Sequence, residues 1–130
     1  MCPMNVRPWA LAMLAAFTLA GCAPTSVSNL TPRTVPVTST RTYPFETTWD
    51  TSWRGMKYED VKAWVVIDGT LYPMTRVPVA QNRWEALVPI PEGRTYVPYK
   101  YRFDYTTPGV RGRKPASEWS PEYRLVVPAK

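Results

Sequence analysis

Apolar and polar residues alternate along much of the chain after residue 42, and a period of two is typical of β-strands. The alternation is strongest over residues 95–105. There the face predicted to point inward carries Val97, Tyr99, Tyr101, Phe103 and Tyr105. The same pattern predicts strands over residues 43–50, 83–90 and 122–127. Residues 61–67 are apolar on both faces, which predicts a central strand, and residues 71–79 contain two prolines, which favours an edge strand.

Turn-forming residues separate these strands. Asp68-Gly69 is typical of a tight hairpin, Gln81-Asn82 predicts a second turn, and Pro91-Glu92-Gly93 predicts a third. Residues 51–60 and 106–120 are polar or basic and predict loops. Six short strands with turns between them, and no helical period after the first residues, predict an all-β, antiparallel β-sandwich.

The first residues have a different pattern. An apolar run over residues 9–20 follows Arg7 and ends in Leu19-Ala20-Gly21-Cys22. The run is too short for a bilayer core, which takes about 20 helical residues. It resembles the signal of bacterial lipoproteins, which implies cleavage before Cys22 and lipid on the thiol of Cys22. The alternatives are an ordinary cleaved signal or a retained membrane helix, and translation starts at Met1 or Met4.

Three segments follow from these patterns. Residues 1–21 are predicted to be the signal peptide, residues 22–41 the lipidated cysteine with a flexible tether, and residues 42–130 the sandwich domain. Threonine, serine and proline dominate residues 23–41, and such a composition buries little apolar surface. The alternative for this segment is an ordered first strand.

Residues 61–105 also resemble a known family. Gly69, Met74, Trp84, Pro91 with Gly93, and the run 99–104 match the early-set immunoglobulin-like modules of the glycogen-binding type. The resemblance covers about a third of the chain and implies that the antiparallel sandwich is immunoglobulin-like, of the early-set type. Leu71-Tyr72-Pro73 stands where the family has a sugar-stacking tryptophan, so the resemblance implies little about sugar binding.

Composition excludes several kinds of chemistry. The chain contains no histidine and two cysteines, which rules out imidazole catalysis, histidine metal sites and a four-cysteine zinc site. It has no nucleophile elbow and no glycine-rich phosphate loop. We therefore expect no enzyme activity and no metal or other cofactor. The formal net charge is +6 at pH 7. Nucleic acid is not an expected partner, because the signal directs the chain out of the cytoplasm.

Two groups of residues are candidate binding sites. The first is a set of aromatic side chains able to stack on a sugar, namely Trp53, Trp64, Tyr72 and Trp119. The alternative is that these rings belong to the core, because large aromatics bury about 150–250 Å² each. The second group is a basic patch of Arg111, Arg113 and Lys114, for which the alternative is a solvated loop.

The sequence thus predicts a lipoprotein of the bacterial cell envelope, on the outer membrane if the cell is Gram-negative. Its partners are expected to be the membrane, through the lipid anchor, and another envelope protein bound by a non-enzymatic module. The alternative is a carbohydrate-binding module that recognises a glucan or an envelope polysaccharide.

Overall fold

The computed structural model describes residues 25–107 and 112–128. In these ranges the regular structure is β-strand, apart from one turn of 3₁₀ helix at Tyr58–Asp60. The strands are β1 (Thr25–Asn29), β2 (Thr42–Thr51), β3 (Lys62–Ile67), β4 (Thr70–Pro73), β5 (Thr75–Arg76), β6 (Arg83–Pro89), β7 (Tyr96–Thr107), β8 (Lys114–Trp119) and β9 (Tyr123–Val126).

The strands form two antiparallel sheets packed face to face. The first sheet has the order β1-β2-β6-β5, and the second has the order β4-β3-β7-β8, with β9 paired to the other half of β7. These orders correspond to the ABED and C′CFG sheets of immunoglobulin domains. The predicted all-β, antiparallel immunoglobulin-like sandwich is therefore confirmed.

The core lies between the inner faces of the two sheets. Trp84 of β6 packs edge-on against Phe103 of β7, with ring centroids 5.8 Å apart, and Phe45 packs edge-on against Tyr99 at 4.9 Å. These rings come from the alternating positions that the sequence assigns to the inner face, and all four are buried. The predicted inner faces of residues 43–50, 83–90 and 95–105 are therefore confirmed, although the ring of Tyr105 is only half-buried.

The prediction of a flexible tether is wrong for residues 25–41, which pack against the domain. β1 pairs along β2 from Thr25 opposite Thr51 to Asn29 opposite Thr47. Further along, Val35 is buried in the core and its amide donates to the carbonyl of Val126 at 3.1 Å. The alternative, an ordered first strand, describes this segment. Residues 22–24 lie outside the described residues.

This segment docks because it supplies hydrogen bonds to buried tyrosines. Asn29 Nδ2 donates to the Tyr99 hydroxyl at 2.8 Å, and the Tyr101 hydroxyl donates to Asn29 Oδ1 at 2.8 Å. The Thr31 hydroxyl lies 2.8 Å from the Tyr101 hydroxyl and accepts from the Glu46 amide at 2.9 Å. A buried hydroxyl without a partner is costly, so these bonds favour docking even though the segment is polar.

The prediction that residues 106–120 form a loop is also wrong, because part of this segment is a strand. Residues 114–119 form β8, which pairs with β7 from Lys114 opposite Thr107 to Trp119 opposite Arg102. Beyond it, Ser120 keeps the chain on β7, because its amide donates to the Tyr101 carbonyl at 2.9 Å and its hydroxyl accepts from the Tyr101 amide at 2.7 Å. The last predicted strand is confirmed as β9.

Residues 71–79 also differ from the single edge strand that the sequence predicts. β4 lies at the edge of the second sheet and β5 at the edge of the first, so the chain crosses between the sheets at Met74. The Met74 amide donates to the Ala63 carbonyl at 2.9 Å. The hairpin at Asp68-Gly69 is confirmed, because Ile67 pairs with Thr70 and both turn residues have positive φ, 53° and 79°.

The sandwich has two ends, the Thr25 end and the Thr95 end. The Thr25 end contains the start of β1, the end of β2, the segment 52–61, the turn 77–82 and the start of β8. The Thr95 end contains the turns 68–69 and 91–95 and the residues after β9. The strand registers place these segments together at each end.

Candidate functional site

The candidate site is the outer face of the second sheet. Its central row is set by strand register, because Trp64 of β3 lies opposite Arg102 of β7, and Arg102 lies opposite Trp119 of β8. Side chains at paired positions point to the same side of a sheet. Two tryptophans therefore flank one arginine on the solvent side, and the alternation of β3 and β7 sends Val65 and Tyr101 to the core instead.

Cations lie over both indole rings. The Arg102 guanidinium carbon is 5.7 Å from the Trp64 ring centroid and 5.5 Å from that of Trp119. The Lys100 ammonium lies 4.6 Å from the Trp119 centroid. These distances are within the range of cation–π attraction, about 6 Å. The rings and the cations therefore hold one another in place.

A hydrogen-bonded pair fixes the arginine along the strand. Arg102 Nε donates to Asp104 Oδ1 at 3.0 Å, and the Ser117 hydroxyl donates to the same oxygen at 2.7 Å. Both residues of the ion pair are half-buried, so solvent screens the pair less than it would at a fully exposed site. The guanidinium is thus prepositioned between the rings without a ligand.

Apolar side chains extend this row toward β4. Leu71 lies opposite Val66, and Pro73 lies opposite Trp64. Trp119 is 48% exposed and Leu71 is 39% exposed, whereas Val66 is buried although it lies outside the inner core. We refer to Trp64, Leu71, Lys100, Arg102 and Trp119 as the tryptophan–arginine face.

A cavity of about 410 Å³ adjoins this face. It opens where the chain crosses between the sheets, and its walls include Trp64, Pro73, Met74 and Trp84. Arg76 and Glu59 face one another at its rim, with 4.0 Å between nitrogen and oxygen. Trp64 lines both the cavity and the face, so one partner is able to contact both.

The other two aromatic candidates lie elsewhere. Tyr72 pairs with Val65, so its half-buried side chain packs against the core rather than on the outer face. Trp53 packs on Tyr105 at the Thr25 end, with ring centroids 5.7 Å apart. The four candidates therefore do not form one platform. Trp64 and Trp119 are brought together, and Trp119 lies on β8 rather than in a loop.

The predicted basic patch is only partly within the described residues. Arg113 pairs with Asp60 at 3.4 Å, and Lys114 begins β8. Arg111 and the lipidation candidate Cys22 lie outside the described residues.

Three carboxylates at the Thr25 end and on β8 are engaged in structural contacts. Glu118 accepts a hydrogen bond from Trp49 Nε1 at 2.8 Å, while Glu59 and Asp60 face arginines. At the Thr95 end, the Arg94 guanidinium donates to Asp68 and holds the pKa of that exposed carboxyl below its usual value. Over residues 25–107 and 112–128, no group of three or more acidic, cysteine or histidine side chains is arranged to hold a metal ion.

Sequence reasoning missed the role of Arg102 as the centre of the site, and it missed Asp104 and Leu71. The alternation of β7 does send Arg102 and Asp104 to the outer side. Their position beside Trp64 depends on the pairing of β3 with β7, which are distant in sequence. The sequence signal that points to them is the presence of outward-facing aromatic and cationic residues on separate predicted strands.

No protein-family model matches this chain, and no curated protein matches it. Among the described residues, none belongs to a helix with the length and apolar character needed to cross a membrane.

Proposed function

We propose that this chain is a non-enzymatic, protein-binding lipoprotein of the bacterial cell envelope that is anchored through Cys22 and binds its partner through the tryptophan–arginine face. The observation that carries the proposal is the row of Trp64, Arg102 and Trp119 on the outer side of a sheet. The anchor is supported by the Leu19-Ala20-Gly21-Cys22 sequence after an apolar run.

The composition of the face favours a protein partner. Tryptophan and arginine dominate the binding energy of protein interfaces, and they act best when packed side by side and sheltered from water. Here the arginine is already oriented by Asp104, so less conformational entropy is lost on binding. Leu71 supplies an exposed aliphatic group beside the row.

A sugar is a weaker fit to the same rings. Stacking of a sugar needs open ring surface, and Arg102 and Lys100 already occupy part of it on Trp119. A sugar that stacks there has to displace these cations or use the remaining ring surface. Carbohydrate binding is therefore the second candidate, supported by the 48% exposure of Trp119.

Site-specific photocrosslinking tests the protein-binding proposal. Benzoylphenylalanine replaces Trp119 or Leu71 in the full chain, in the cells that produce it. The matched control replaces Leu87, which is 71% exposed on the outer side of the first sheet. We expect one discrete protein adduct from positions 119 and 71 and none from position 87. Arg102→Glu should abolish the adduct, because it reverses the central charge.

Two results contradict the proposal. One is the absence of an adduct from positions 119 and 71, and the other is an equal adduct from position 87. A saturable shift in tryptophan emission on adding a glucan, lost in Trp119→Ala with folding retained, replaces the protein partner with a carbohydrate.

The anchor is tested separately. Cys22→Ser should leave unprocessed precursor without attached acyl chains, measured by mass spectrometry of the purified chain. Mature protein that stays with washed membranes in this variant contradicts lipid attachment at Cys22.

A further inference from the structure

The point where the described chain begins is fixed on the fold. Thr25 pairs with Thr51, so the chain enters the domain at the Thr25 end. Only Ala23 and Pro24 lie between Cys22 and Thr25. Three Cα–Cα steps of about 3.8 Å span at most about 11 Å. A lipid on Cys22 therefore holds the Thr25 end beside the headgroups, whatever path these residues take.

The Thr25 end carries cations that are not engaged in ion pairs. Arg54, Lys57 and Lys114 are exposed, and none of them has an ion-pair partner among the described residues. The nearby carboxylates Glu59 and Asp60 face Arg76 and Arg113 instead. Asp50 is also exposed at this end and its described partner is the neutral Asn82 amide, so the three cations outnumber one carboxylate without a described ion pair. The net unpaired charge of these four residues is positive, which complements phosphate headgroups.

The same end presents apolar groups. Val79 is 92% exposed, the largest exposure among the large hydrophobic residues of the described chain. It lies in the turn 77–82, which is fixed to the end of β2 because Asn82 Nδ2 donates to Asp50 Oδ1 at 2.6 Å. Trp53 is half-buried in the neighbouring segment 52–61. An aliphatic tip and a tryptophan beside cations are typical of surfaces that enter a membrane interface.

The opposite end also exposes apolar side chains, Tyr96 and Val126, but the arginines beside its turns are engaged within the protein. At the Thr95 end, Arg41 donates to the carbonyls of Ile90 and Pro91 at 3.2 and 2.7 Å, and Arg94 pairs with Asp68. These two arginines are therefore satisfied within the protein, whereas Arg33 and Arg124, which lie further along the strands, are exposed without described ion pairs. The end that distinguishes itself is therefore the one where the chain enters, because only there do unpaired cations lie in the described turn and loop segments that define the end itself, at Arg54 and Lys57.

We propose that the Thr25 end docks on the lipid surface, with Arg54, Lys57 and Lys114 on the phosphates and Val79 and Trp53 at the headgroup level. This inference rests on the proposed lipid attachment of Cys22. It adds a fixed orientation, in which the strands stand upright on the membrane and the tryptophan–arginine face points sideways along the membrane.

Quenching of tryptophan by brominated lipid tests the docking. The full chain is produced in its own cells, and the processed protein is reconstituted in phosphatidylethanolamine–phosphatidylglycerol vesicles with or without bromine on the acyl chains. Bromine quenches only tryptophans close to the bilayer. We expect bromine to reduce emission, Trp53→Phe to remove most of that loss, and Trp119→Phe to retain it.

Charge variants give a second readout that keeps Trp53 as the reporter. The pair Arg54→Glu and Lys57→Glu should weaken the quenching, because it reverses the charge that faces the phosphates. The matched control is the pair Arg33→Glu and Arg124→Glu, two exposed arginines without described ion pairs that lie toward the Thr95 end. This control should leave the quenching unchanged.

Mass spectrometry of the processed chain, which shows whether Cys22 carries acyl chains, distinguishes failure of the anchor from failure of the docking. Absence of acyl chains on Cys22 overturns both the anchor and the docking. Acylated Cys22 without quenching, or with quenching that Trp53→Phe and the Arg54–Lys57 pair leave intact, overturns the docking alone.

Discussion

Replacing Thr31 by valine removes one hydroxyl from the segment that joins the entry strand to the domain. That hydroxyl accepts from the Glu46 amide at 2.9 Å and lies 2.8 Å from the Tyr101 hydroxyl. Valine preserves the shape of the side chain but offers neither bond. The Glu46 amide is then left without this acceptor, while the Tyr101 hydroxyl retains Asn29 at 2.8 Å.

The magnitude follows from these partners. A hydrogen bond contributes about 1 kcal/mol net, and a buried donor left without an acceptor costs about 1–3 kcal/mol. We expect Thr31→Val to reduce the free energy of unfolding by about 2 kcal/mol on this basis. Tyr101→Phe leaves Asn29 and Thr31 with other partners, so its cost should be about 1 kcal/mol. The double variant should cost less than the sum by about 1 kcal/mol, because both changes remove the same bond.

Urea unfolding of residues 25–128, followed by tryptophan emission, measures these free energies. Thr34→Val is the matched control, because Thr34 is exposed in the same segment. It should stay within about 0.5 kcal/mol of the parent domain. If Thr31→Val unfolds at the same urea concentration as Thr34→Val, the segment 25–35 does not contribute to the fold.

Three further outcomes test the core, a turn and the tyrosines. Trp84→Ala should lower the free energy of unfolding in urea by about 3–5 kcal/mol, because the ring is buried. Leu87→Ala should lower it by less than about 0.5 kcal/mol, because Leu87 is exposed, and similar values for the two variants contradict the assignment of inner faces. Gly69→Ala should reduce the free energy of unfolding by roughly 1–2 kcal/mol and lower the melting temperature, because φ is 79° at this position. No atom crowds the added methyl, so backbone strain alone is tested, and an unchanged melting temperature argues against this turn. Burial raises the pKa of the Tyr101 phenol, so its contribution to stability is complete below about pH 10 and is lost as the pH rises above that value. Unfolding measured between pH 8 and pH 11 should show this loss, and Tyr101→Phe should reduce it; an equal slope in the variant refutes the assignment.

The fold is predictable from the sequence because its signals are local. The alternation over residues 95–105 reports which side chains of β7 face the core, and Asp68-Gly69 reports a hairpin of two residues. Both depend on neighbours in the chain, where periodicity and turn preferences act. The inner faces and the sandwich architecture therefore follow from the pattern.

The ordered path of residues 25–35 was not predictable in the same way. The composition of these residues is polar, and what orders them is the demand of the buried hydroxyls of Tyr99 and Tyr101 for partners. That demand arises only after β7 is buried, so composition gives no sign of it. The tryptophan–arginine face has the same origin, because Trp64, Arg102 and Trp119 meet only through the pairing of three strands.

The antiparallel pairing of β1 with β2 also sets how the domain bears load. A pull on Thr25 directed out of the Thr25 end runs along β1, at right angles to the hydrogen bonds that join it to β2. Bonds loaded in this direction share the force, whereas a pull across the strand opens them one after another. An anchor at this position therefore transmits tension into the sheet in shear, the direction in which a pair of strands resists separation best.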